Sequence, residues 1–197
     1  MKRLPVIFLF LVLLVPVFAS VTAGDTLTLG RDRFGESVEW TVLAAEDGRA
    51  LVISRDILCY APYNDTYSPV TWESCSLRAW LNGPFLSSFF TENEASIIME
   101  TTTKASSNPK SGTDGGEDTT DRIFLLSAEE CEEYFPTAEE RKALYNGGSD
   151  TWTLRTPGRS SYTASEVRYD GFINTSGSYV DFMNAVRPAM WINTTLL

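Results

Sequence analysis

The chain has 197 residues, no histidine, three cysteines and a formal net charge of −10 at pH 7. Without imidazole there is no Ser–His–Asp or Cys–His pair, no histidine-containing zinc site and no ring base titrating near neutral pH. Such an acidic surface repels nucleic acid and anionic lipid, so neither is an expected partner.

Lys2 and Arg3 precede an apolar run from Leu4 to Phe18, followed by small residues at Ala19, Ser20 and Ala23. That layout predicts a secretory signal peptide over residues 1–23, cleaved after Ala19 or Ala23. The run is short against the ~20 apolar residues a spanning helix needs. The cleavage region holds no cysteine for a lipid anchor, and the ending "WINTTLL" carries no second span or sorting signal. Losing Lys2 and Arg3 moves the net charge from −10 to −12, because that segment has no acidic residue. Residues 24–197 are expected to form one domain, secreted and extracellular or periplasmic, with no membrane span after cleavage.

In chain order, "TLTL" (26–29) alternates as a strand, and "VEWTVLAA" (38–45) and "ALVIS" (50–54) form a hairpin across "EDG" (46–48). A polar loop with Asn64 and Pro69 leads to a helix in "TWESCSLRAWLNGPF" (71–85), with Leu77, Trp80 and Leu81 as its buried stripe. Asn82-Gly83-Pro84 is expected to stop that helix, leaving "FLSSFF" (85–90) as an apolar turn. Capping boxes are expected at Thr91/Glu94, Ser127/Glu130 and Thr137/Glu140. Ala105 to Thr120 reads as a long exposed loop, and "RIFLLS" (122–127) as a buried strand. The remainder is strand and turn: 151–155, 165–169, Asp170-Gly171, 172–174, then 185–192, where Pro188 marks an edge or bulge. Short helices segregated among hairpins predict an α+β class.

Cys131 shares an apolar helix face with Ala128 and Phe135 and reads as a small core residue. Cys59 and Cys75 flank the polar loop, and a disulfide between them is expected. Asp114, Glu117, Asp118 and Asp121 could offer oxygen ligands to calcium, but their spacing fails the EF-hand pattern, so no metal site is expected. Glu129, Glu132 and Glu133 lie on one solvated helix face with no partner carboxylate for glycoside hydrolysis. Trp72, Tyr60, Tyr63, Tyr67 and Tyr162 lie in or beside loops, where they either stack on flat ligands or pin the loops. Arg78, Arg155 and Arg187 each stand near a tryptophan inside an apolar segment; Arg78 and Arg187 read as structural braces. Asn64, Asn174 and Asn193 head N-x-S/T sequons.

The order of "EWTVLAAEDGRALVIS", "YN", "TWESCSLRAWLNGPF", "FTENEASII", "DTTDRIFLLSAEE", "WTLRTPG", "VRYDGFI" and "VRPAMWI" resembles the bacterial and archaeal family known as DUF6273. The resemblance implies a secreted or surface protein. The ending is also similar to the closing strand of C-type-lectin-like and formylglycine-generating-enzyme-like domains, which implies a C-type-lectin-like fold. The chain lacks the Glu-Pro-Asn and Trp-Asn-Asp calcium–sugar motifs, and the cysteine pair of the formylglycine oxidase, so neither activity carries over. The expected function is a non-catalytic binding module without cofactor, contacting glycans or cell-surface proteins and polymers. Trp152, Arg155 and Tyr162 around the "WTLRTPGRSSY" turn are its expected ligand residues. The alternatives are an extracellular enzyme using carboxylates or tyrosines, and a structural envelope component.

Overall fold

The computed structural model describes residues 21–197; most of the expected signal peptide therefore lies outside the described residues. Strands β1 (Thr26–Arg31), β2 (Ser37–Glu46) and β3 (Arg49–Ser54) form two consecutive antiparallel hairpins. The β2–β3 turn is Asp47 (φ 46°) and Gly48 (φ 77°), two left-handed residues whose twist matches that of the flanking strands. Val38, Trp40 and Val42 alternate inward along β2. Trp40 Nε1 donates to Leu29 O at 2.8 Å, so the indole is buried without losing its hydrogen bond.

After β4 (Cys59–Pro62) and a loop comes α1 (Ser76–Trp80), which does not end at the proline. A wide π-type turn over Leu81–Phe85 carries it into α2 (Leu86–Phe89). The wider turn accommodates Pro84, which has no N–H to give, and Asn82 Nδ2 donates to Arg78 O at 3.1 Å. The expected stop is thus a bulge, and the apolar stretch beyond it is helix: Phe85 stacks on Phe89 with centroids 4.0 Å apart.

All three expected capping boxes are present, at the starts of α3 (Glu92–Ile97), α4 (Ala128–Tyr134) and α5 (Ala138–Arg141). Between α3 and α4, β5 (Thr101–Thr103) pairs with β6 (Thr119–Asp121), which shortens the expected loop. The loop is also less exposed than its composition predicts. Asn108 is buried and donates to Pro157 O at 2.9 Å and Thr175 O at 2.6 Å.

A hairpin absent from the expectations, β7 (Ala143–Tyr145) with β8 (Gly148–Asp150), turns at Asn146-Gly147, a pair that announces such a turn. Then follow β9 (Trp152–Pro157), β10 (Thr163–Val167), β11 (Ile173–Tyr179), β12 (Met183–Val186) and β13 (Ala189–Asn193). The expected final strand is therefore two strands, separated at Arg187-Pro188. β12 enters a five-stranded sheet of order β11-β10-β9-β12-β4, and β13 a four-stranded sheet of order β1-β2-β3-β13. Apart from a short parallel contact of β12 with β9, the pairings are antiparallel, and the class is α+β.

Residues 122–127 are buried from Ile123 onward, as expected, but are not a strand. They form an extended segment between the two sheets, with a single bridge, Phe124 to Ala189. Buried peptide groups without a ladder need other partners. Asn82 supplies several: its Oδ1 accepts from Arg122 N (2.8 Å) and Ile123 N (3.1 Å), and its Nδ2 donates to Ile123 O (2.8 Å). Arg155 N donates to Leu126 O (3.0 Å) and Arg155 Nη1 to Leu125 O (2.8 Å).

At the head of the segment, the buried Asp121 carboxylate accepts from Trp72 Nε1 (2.9 Å), Arg78 Nε (2.6 Å) and Thr119 Oγ1 (2.6 Å). Arg78 also donates to Glu73 O (3.0 Å) and Thr120 O (3.1 Å). The opening helix is thereby tied to the buried segment through one carboxylate.

Arg78→Ala leaves that carboxylate buried without its cation, and Asn82→Ala strands three peptide groups. Each is expected to lower unfolding free energy by about 3 kcal/mol in a urea melt. A loss below about 0.5 kcal/mol, the ordinary effect of a surface change, would refute the assignment.

Candidate functional site

The structure withdraws two of the three expected ligand residues from solvent. Trp152 is 0% exposed; its Nε1 donates to Arg141 O at 3.0 Å. Arg155 is 3% exposed and forms a two-pronged ion pair with Glu130, with Nη2 2.6 Å from Oε1 and Nη1 bonded to Oε2. Glu130 also accepts from Ser127 N in the capping box, so α4 is docked on β9 through a single carboxylate. Both residues are corrected to interior roles, because β9 is central in its sheet and buried along its length. Tyr162 alone of the three is at the surface, 36% exposed.

Arg187 lies where the chain leaves one sheet for the other. It is 4% exposed, sits 5.1 Å from the Trp152 ring and 5.0 Å from the Phe135 ring, and donates to Ser54 O at 2.9 Å. No carboxylate pairs with it among the described residues, and its Nη1 has no partner. Burial draws its pKa down to about 10, which leaves it charged at neutral pH.

The expected Cys59–Cys75 disulfide is not formed, and the three thiols are free. Pairing with Val186 holds Cys59 in β4, while Cys75 turns inward as the cap of α1, its Sγ accepting from Arg78 N at 3.4 Å. Strand register and helix capping commit the two side chains to different tasks. Burial pushes the thiol pKa to about 11 for Cys59 and about 12 for Cys75 and Cys131.

The loop aromatics divide sharply. Trp72 and Tyr63 are buried, Tyr63 donating to Arg155 O at 3.0 Å. Tyr67 and Tyr162 are exposed and in contact, with ring centroids 5.0 Å apart. Tyr67 also meets Tyr179 edge-on at 5.4 Å, and Tyr179 meets Phe182 edge-on at 5.5 Å. Three separate segments thus place four rings in one solvent-facing cluster, with Phe182 57% exposed. Tyr179, at the end of β11, and Phe182, in the turn that follows, escaped the sequence reading because the segment around them carries no motif.

A cleft of about 350 Å³ lies between β4 and α1. Asp65, two residues before Tyr67, and Met183, next to Phe182, line it with Tyr60, Ser76 and Trp80. Tyr60 Oη donates to Asp150 Oδ2 at 2.5 Å; burial first, and then that carboxylate, raise its pKa to about 12. Its phenol therefore stays protonated at neutral pH. Among the described residues, no group of three or more His, Cys, Asp or Glu side chains is placed to hold a metal. Asp118 of the acidic loop pairs with Lys104, and Asp121 is the buried clamp. The sequon amide of Asn174 donates to Glu166 and that of Asn64 to Thr66 and Ser68.

The segments meeting in this architecture are those of one family: residues 47–194 match the domain of unknown function DUF6273, and the chain belongs to that family. No curated protein and no solved structure matches the chain.

Free thiols with raised pKa values, buried at Cys75 and Cys131 and half-buried at Cys59, predict slow chemistry. At pH 8 the native protein should resist iodoacetamide at all three cysteines, and unfolding in guanidinium without reductant should expose three reactive thiols. Recovery of one thiol instead would restore a disulfide.

Proposed function

We propose that the chain is a non-catalytic extracellular binding module whose ligand face is the cluster Tyr67, Tyr162, Tyr179 and Phe182. The observation that carries this is the contact of four exposed rings drawn from three segments, where core packing gives them no role. Exposed apolar clusters rimmed by polar groups mark interaction sites, and rigid aromatic rings supply contact area at low entropic cost. Glycans and cell-surface polymers fit the chemistry, since such rings stack on the apolar faces of sugars while the acidic surface disfavours polyanions. The C-type-lectin-like variety of the α+β class belongs to the same proposal. It is supported by the return of β13 to pair with β3, after the arginine that precedes it.

The test is sedimentation with insoluble cell-wall polysaccharide, beside a glycan array. The double variant Tyr162→Ala, Phe182→Ala is expected to lose about tenfold or more in affinity with an unchanged melting temperature. Folded protein that stays blank in both assays overturns the reading, in favour of the enzymatic or envelope alternatives.

A further inference from the structure

The cleft between β4 and α1 has a composition unlike the ring cluster beside it. Two aromatic side chains, Tyr60 and Trp80, and the thioether of Met183 form its walls, and neither lysine nor arginine lines it. The Tyr60 hydroxyl proton is already committed to Asp150, so the ring is what that residue offers a ligand. At the mouth stands Asp65, whose backbone N donates to Ser76 Oγ at 2.8 Å. Its carboxylate has no hydrogen-bond or ion-pair partner among the described residues, unlike the buried Asp121 and the half-buried Glu130. Aromatic walls and one uncompensated carboxylate, on a chain of net charge −10, complement a cation with an apolar coat. A phosphate or a carboxylate would meet Asp65 with no cation to offset it.

We propose that this cleft binds an alkylammonium group, held by cation–π contact with Tyr60 and Trp80 and by the charge of Asp65. The inference rests on the proposed binding function and deepens it by assigning a second, chemically distinct subsite, whose Asp65 and Met183 lie within two residues of Tyr67 and Phe182 in sequence. The ammonium can come from a trimethylammonium headgroup or from a lysine side chain.

Titration of the full chain with choline, with N-acetyl-lysine amide and with the uncharged tert-butyl isostere of choline tests it. The readout is the indole N–H resonance of Trp80, assigned by its loss in Trp80→Phe. At least one cation is expected to bind about tenfold or more tightly than the isostere, as a cation–π contact plus a charged partner implies. Asp65→Asn, an exposed change, should reduce that preference several-fold, and Tyr162→Ala should leave it intact. Tighter choline binding identifies a headgroup as the source, and tighter lysine binding a protein chain. Equal binding of the isostere, no binding of either cation, or a preference undiminished in Asp65→Asn overturns the proposal. Polysaccharide binding that persists in that case leaves the ring-cluster reading standing.

Discussion

Residues 122–127 cross the interior between two sheets with almost no strand neighbour, and the rest of the molecule is organised around that constraint. A buried peptide group left unpaired costs about as much as a lost hydrogen bond, and a run of them would cancel a domain's net stability. The chain meets the demand with side chains. Asn82 serves both sides of Ile123, Arg155 covers Leu125 and Leu126, and Arg78 reaches Thr120 while pairing with Asp121. Polar residues thus stand inside the core because the backbone there has nowhere else to bond.

The same constraint decides which polar and aromatic side chains remain at the surface. Trp72, Trp152, Arg155 and Tyr63 have hydrogen-bonding ends consumed by carbonyls and carboxylates inside the molecule. Arg187 is a different case: a cation held by ring faces and carbonyls at the point where the chain changes sheets. Removing charges from water is tolerated where hydrogen bonds replace hydration, and each of these positions joins elements far apart in sequence. The aromatic side chains left without an interior task, Tyr67, Tyr162, Tyr179 and Phe182 among them, are the exposed ones.

Local signals were legible wherever local geometry decides the outcome. The Asp47-Gly48 hairpin and the three capping boxes follow from neighbours within four residues, and each formed. The Asn146-Gly147 hairpin carried the same kind of signal. Other outcomes rested on distant partners. Pro84 reads as a stop until the wide turn and Asn82 accommodate it. "RIFLL" reads as a strand because apolar periodicity reports burial and not the identity of hydrogen-bond partners.

From the sequence alone came the absence of imidazole chemistry, the acidic character, the α+β class, the family and the pairing of arginine with tryptophan in three apolar segments. Those properties are compositional or local, so they survive without coordinates. Only the tertiary structure decided which arginines and tryptophans face inward, that Cys59 and Cys75 stay apart as thiols, and that Tyr67, Tyr162, Tyr179 and Phe182 meet. The reason is physical: burial and contact depend on which strands pair, and a ring more than a hundred residues from its neighbour leaves no trace of that contact in local sequence.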